Sequence, residues 1–254
     1  MQKLKNLTIL FILTTLFVVV VGGSSPDVLA SPSVIAPNLG SAASFVALAS
    51  STLTNTGSGV YVGNVGVSPG TSVIGFPPGT VRRGTIYEGG PVPAQAQIDA
   101  NSAYNDLAGQ TCNVDLTGQD LGGMTLTPDV YCFDMSAQLT GDLVLDALGD
   151  PLAVWVFQMG STLTTASASS VAVINGGQVV NVFWQVGSSA TLGTGTRFNG
   201  NILADESITL DTGSSLIGRL LALNGAVTLD TNGTPFPISN TPGFEFNYLP
   251  LIKR

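Results

Sequence analysis

Beyond an apolar N-terminal stretch, hydrophobic and polar residues alternate in short runs along most of the chain. The segment Ser207–Asp211 is typical. Ile208 and Leu210 fall on one side, and Ser207, Thr209 and Asp211 on the other. Such two-residue alternation, rich in Val, Thr, Leu and Ile and punctuated by Gly, predicts strands with one buried face. One segment departs from it. The run AQAQIDANSAYNDLAG, Ala94–Gly109, is rich in Ala and Gln with few β-branched residues, which predicts a helix over about 94–109. Pro91 and Pro93 stop what precedes it, and Gly109 suits its C-terminal end. Ile98, Tyr104 and Leu107, with the interleaved alanines, form its expected packed face.

The strand segments repeat. TLTT at Thr162–Thr165, TLGT at Thr191–Thr194, and TLDT at both Thr209–Thr212 and Thr228–Thr231 share one block. TLTN at Thr52–Asn55 is a fifth copy far upstream. The central leucines Leu192, Leu210 and Leu229 are spaced by 18 and 19 residues. From Leu163 to Leu192 the step is 29, which implies an insertion around Asn175–Asn181. A period of 18–19 residues accommodates three strands of about six residues per turn. This is the signature of a parallel β-solenoid whose coils stack about 4.8 Å apart.

In each block the leucine faces the core, so Thr52, Thr162, Thr191, Thr209 and Thr228 are expected to project outward as a column. The adjoining corners carry Thr165, Thr194 with Thr196, Thr212 with Ser214, and Thr231. A threonine column has a purely structural explanation, since Thr–Thr pairs support a sheet by roughly 0.2–1 kcal/mol each. Composition favours a functional one. Charged residues make up only 9% of the chain, against about 25% in ordinary domains. A regular sheet surface of methyls and hydroxyls, almost without charge, suits a ligand that is itself a lattice, and a crystal surface is such a ligand.

Charge and residue types exclude other functions. The net charge is −8 and the pI near 4.1, without the basic footprint that nucleic acids require. Histidine is absent, which removes Ser-His-Asp and Cys-His triads and His-ligated metals. Two cysteines cannot form a four-thiolate site, no dinucleotide- or phosphate-binding glycine motif is present, and no cofactor is expected.

Lys3 and Lys5, the apolar run Leu7–Val21 and the small residues up to Ala30 have the three-part organisation of a secretory signal peptide, residues 1–30. An uncleaved anchor is the alternative, but the run is shorter than the roughly 20 residues that span a bilayer. Residues 31–254 then form one exported domain, monomeric, without membrane contact after cleavage. In an oxidising compartment Cys112 and Cys132 are expected to form a disulfide; two buried thiols are the alternative.

Several longer motifs carry a resemblance. NLGSAASFVALASSTLTNTG at Asn38–Gly57, VGVSPGTSVIGFPPG at Val65–Gly79, the helix Ala94–Gly109, LTPDVYCF at Leu126–Phe133 and AQLTGDLVLDALGDPLAVWVFQ at Ala137–Gln158 follow one another in order. In these motifs the chain resembles the ice-binding (antifreeze) proteins of cold-adapted bacteria, fungi and algae. The resemblance implies a right-handed, triangular parallel β-helix with discontinuous coil order and one long α-helix packed alongside. It implies a secreted, non-enzymatic protein that adsorbs to ice through one flat face and inhibits ice growth and recrystallisation. Some members carry a Thr–Ala/Gly–x–Thr/Asn motif on that face. The corners at Thr165, Thr194 and Thr212 keep its first two positions but not its last, and Thr231-Asn232-Gly233-Thr234 keeps only the ends.

Two other readings share the solenoid. A polysaccharide-acting enzyme would use Asp205, Glu206, Asp211 or Asp230, but Asp211 and Asp230 occupy equivalent repeat positions and read as solvated strand ends. A secreted adhesin or matrix protein has the same export signal and fold. Asp115 and Asp120 lie in a loop without a calcium-binding pattern.

Overall fold

The computed structural model describes Val34–Gly233; the candidate signal segment, 1–30, lies outside these residues. The strands pair in parallel and form sheets of twelve, seven and two strands. Each coil takes one strand from each of three sides. Trp155–Met159, Leu163–Thr165 and Ser170–Ile174 make one coil. Val182–Val186, Ala190–Leu192 and the first half of Arg197–Ala204 stack on it in register.

Two long strands, Arg197–Ala204 and Ser215–Ala222, each serve two sides of the solenoid. They bend at Gly200 and Gly218, which pair with each other and hold φ of +120° and +153°. A Cβ at Gly218 would stand 1.7 Å from the Gly200 carbonyl oxygen, so no other residue fits this corner.

The coils are not stacked in chain order. In the seven-stranded sheet the succession is Ala137–Leu139, Leu163–Thr165, Ala190–Leu192, Ile208–Leu210, Val227–Leu229, Thr52–Asn55 and Ser72–Ile74. The early strand thus adds to the last repeat, which accounts for the isolation of TLTN in the sequence. The expected insertion is also present: after Ser170–Ile174 the chain turns through Val179–Asn181 before rejoining the solenoid.

Inward residues of successive coils stack on like residues. Tyr131, Phe157 and Trp184 lie in register, with ring centroids 5.3 and 4.0 Å apart. Trp155 and Trp184 are both fully buried. The inward leucines Leu163, Leu192, Leu210 and Leu229 contribute roughly 1.5–3 kcal/mol each through burial.

The helix spans Pro91–Ala108, three residues earlier than expected. Pro91 and Pro93 sit in its first turn, where a missing N–H costs nothing, so they begin the helix instead of ending what precedes it. Its buried face is Ala96, Ala100, Ala103 and Leu107; Ile98, expected there, is 63% exposed. Small residues win because the helix lies close against one side of the solenoid, on Val130, Val156, Phe183, Leu203 and Leu221. Gln158 donates to the carbonyls of Leu107 and Gln110 at 2.7 and 2.9 Å, which fastens the end of the helix to the sheet. Cys112 and Cys132 form a disulfide that ties the chain after the helix to Val130–Phe133. Among the described residues, no helix is long and apolar enough to cross a membrane.

Candidate functional site

The seven-stranded sheet presents its outer surface without a covering helix. The register aligns Gln138, Thr164, Thr191, Thr209, Thr228, Thr54 and Ile74 in one outward column. Two residues earlier on each strand lies a second column of small residues, Thr162, Ser189, Ser207, Ala226, Thr52 and Ser72. Neither column contains a charged side chain. Rows repeat about every 4.8 Å across the strands and columns about 6.7 Å apart along them. The result is a near-rectangular array of hydroxyls and methyls on a stiff sheet.

Of the expected column, Thr191, Thr209 and Thr228 align as read. Thr52 and Thr162 also face outward, but in the second column, because Leu53 and Leu163 pair with Val227 and Ala190. A shift of two residues preserves the side that faces out and changes only the column. Thr54 and Thr164 take the vacated places, and matching the blocks on their leucines misses both. On three coils the true register lies at a fixed distance from the corner residue with positive φ. Ala168, Gly195 and Gly213 all hold left-handed backbone, and Thr164, Thr191 and Thr209 each precede one of them by four residues.

The corners require a correction. Thr165, Thr196 and Ser214 were expected on the surface but are 3%, 0% and 1% exposed. Thr165 occupies the inward slot that Leu192, Leu210 and Leu229 fill on other coils. Its hydroxyl bonds to that of Thr196 at 2.9 Å and accepts from the Gly193 N–H at 2.9 Å. Thr196 also donates to the Ala166 carbonyl at 3.2 Å, and Ser169 to that of Leu139 at 3.0 Å. Asn232 bonds the Ser214 hydroxyl at 3.0 Å and the Asp211 carbonyl at 2.7 Å. These side chains form a buried polar seam inside the corner, meeting backbone groups where the chain turns. By contrast Thr194, Thr212 and Thr231 are exposed.

Asp230 lies at the edge of the array. Its carboxylate accepts hydrogen bonds from the hydroxyls of Thr212, of Thr56 at 3.0 Å and of Thr231 at 3.2 Å. The bonds from Thr212, then Thr56, hold its carboxyl below the usual carboxylate range. Burial and then the Asp230 charge push the Tyr61 hydroxyl up. Asp205 accepts from Asn224 at 2.9 Å. Among the described residues no group of three His, Cys, Asp or Glu side chains is placed to hold a metal ion.

The architecture defines a β-solenoid with one helix-covered side and a flat, uncharged, threonine-rich side. Residues 47–234 match the family model described as ice-binding-like, and the chain belongs to that family. An ice-binding protein of Nostoc sp. (strain HG1) is 61% identical over 76% of this chain and 72% of its own length. The crystal structure of an ice-binding protein from an Antarctic biological consortium is 45% identical, with a TM-score of 0.77 over 80% of this chain and 92% of that one. That of the ascomycete Antarctomyces psychrotrophicus is 40% identical, also with a TM-score of 0.77, over 82% of this chain and all of the other.

Proposed function

We propose that this protein binds ice through the outer surface of its seven-stranded sheet and so inhibits ice growth and recrystallisation. The observation that carries the reading is the unbroken register of Thr164, Thr191, Thr209, Thr228 and Thr54 beside a second column of small uncharged residues, all but Ala226 bearing a hydroxyl. A crystal is recognised by matching spacing over an area, and a rigid sheet supplies spacing with the ordering already done in folding. Methyls order water around them, hydroxyls anchor it, and the ordered layer merges with the lattice. Exposed members Thr194, Thr212 and Thr231 extend the surface to the corner, while Thr165, Thr196 and Ser214 support it from inside. The relatives named as ice-binding proteins support the same reading.

The protein acts as an adsorbent rather than an enzyme. Asp230, one of the carboxylates available for sugar hydrolysis, is engaged by three threonine hydroxyls. It works as a secreted monomer after removal of residues 1–30; the N-terminal sequence of the exported protein tests this directly. Thermal hysteresis and crystal shaping in a nanolitre osmometer test the main reading. Wild-type protein is expected to hold ice growth below the melting point, and Thr209→Tyr to abolish most of that effect with its melting temperature unchanged. Unaltered hysteresis in Thr209→Tyr and Thr191→Tyr would move the active surface to another side of the solenoid.

A further inference from the structure

The seven-stranded sheet contains a seam at which two distant parts of the chain meet. Val227–Leu229 is its last strand from the C-terminal repeats, and Thr52–Asn55, from the N-terminal region, pairs with it. An array that recognises a lattice must keep its spacing across this seam as well as within each run of repeats. Backbone pairing keeps the strands in register, but it leaves the exposed hydroxyls at the corner free to rotate about χ1.

The Asp230 side chain, at the edge of the array, touches three coils. Thr212 belongs to the coil before it, Thr231 to its own, and Thr56 to the coil across the seam, 174 residues away in sequence. A carboxylate only accepts, so all three hydroxyls must turn towards it. Each threonine then has its χ1 set, and its methyl and remaining lone pairs hold one orientation. Bonds to an ionised acceptor are also stronger than neutral ones. We infer that Asp230 is a positioning residue for ice binding: its carboxylate fixes the threonine hydroxyls of three adjacent coils and carries the ordered array across the seam. This rests on the seven-stranded face being the ice-binding surface. Thr56 and Thr231 donate to one oxygen of the carboxylate and Thr212 to the other. A protonated carboxyl, or an amide, turns one of these two positions into a donor, so the three bonds can no longer all be made at once. The titratable groups around it are Asp211, at the equivalent position on the preceding coil, and Tyr61 on Val60–Val62.

The test compares wild type, Asp230→Asn, Asp211→Asn and Thr209→Tyr by hysteresis at pH 7 and at acid pH, with melting temperature measured in parallel. Asp230→Asn is expected to lose roughly half or more of the hysteresis at pH 7, since ordering must then be met at the ice surface. Wild type should lose a comparable share on acidification, and Asp230→Asn should show little further loss. Asp211→Asn should retain the wild-type pH response. Wild-type hysteresis in a folded Asp230→Asn, or an acid response identical in the two proteins, overturns the inference if Thr209→Tyr is inactive. If Thr209→Tyr is fully active, the face assignment itself falls. Should Asp230→Asn fail to fold, Thr56→Val replaces it. That variant leaves the carboxylate intact and removes the bond across the seam, and unchanged hysteresis there overturns the inference equally.

Discussion

At the scale of single residues, chemically similar side chains have opposite tasks according to where the register puts them. Thr164 and Thr165 are neighbours, yet one is exposed and the other 3% exposed. Replacing Thr165 with Val removes the partner of the Thr196 hydroxyl and the Gly193 N–H. Leaving buried polar groups unmet costs about 1–3 kcal/mol each. Thr165→Val should therefore lower the melting temperature and leave hysteresis per folded molecule nearly unchanged. Thr194→Tyr and Thr212→Tyr should do the reverse, since both positions are exposed and a bulky ring lifts its neighbours away from a flat crystal. Calorimetry together with osmometry on the three variants separates the two roles. The inward place of Thr165 follows from alternation, since it lies two residues after Leu163, although matching the blocks hides it. The places of Thr196 and Ser214 were not legible, because they lie in the corner beyond the alternating strand.

At the scale of elements, the decisive features are the bends and the closeness of the helix. Gly218 in Ser215–Ala222 lies against the Gly200 carbonyl oxygen with no room for a Cβ. Gly218→Ala is expected to open the corner or prevent folding, read as a drop of many degrees in melting temperature or loss of soluble protein. Ala100, fully buried in Pro91–Ala108, occupies a comparable position against the sheet. Overpacking by a larger side chain typically costs about 1–3 kcal/mol. The helix was legible from its Ala and Gln content, and so was most of its packed face: Leu107 and the interleaved alanines are buried and Tyr104 packs beside them, while Ile98 points away.

At the scale of the whole molecule, stability depends on cross-links between distant segments. The Cys112–Cys132 disulfide closes a loop of 20 residues and is expected to contribute on the order of 3 kcal/mol. Reduction should lower the melting temperature by several degrees while the far-UV signal of the solenoid persists; an unchanged melting curve would contradict this. Acid should act through carboxylates that the folded chain holds as acceptors. The Ser41 N–H lowers the Asp99 carboxyl, Thr117 that of Asp115, the Leu148 N–H that of Asp146, and Thr212 that of Asp230. Their folded values lie below the unfolded value of about 3.9, so the stability they confer is present above that pH and is lost as pH falls through the folded values. Melting temperature should stay level from neutral pH to about 5 and decline below about 4. A maximum in strongly acid solution would contradict it.

Local patterns in the chain are enough to give the class of fold, the helix, the insertion near Asn175–Asn181 and an outward threonine surface. Each of these follows from a local signal: alternation sets which side of a strand is buried, period sets the coil, and composition sets the helix. Which threonines align depends on how the coils pair. Thr54 and Thr164 join Thr191, Thr209 and Thr228 because backbone pairing aligns Leu53 with Val227 and Leu163 with Ala190. A shift of two residues leaves the alternation intact, so no one-dimensional pattern distinguishes the two registers. The same holds for the contact of Thr56 with Asp230. Two residues 174 positions apart come together only because the coils stack out of chain order.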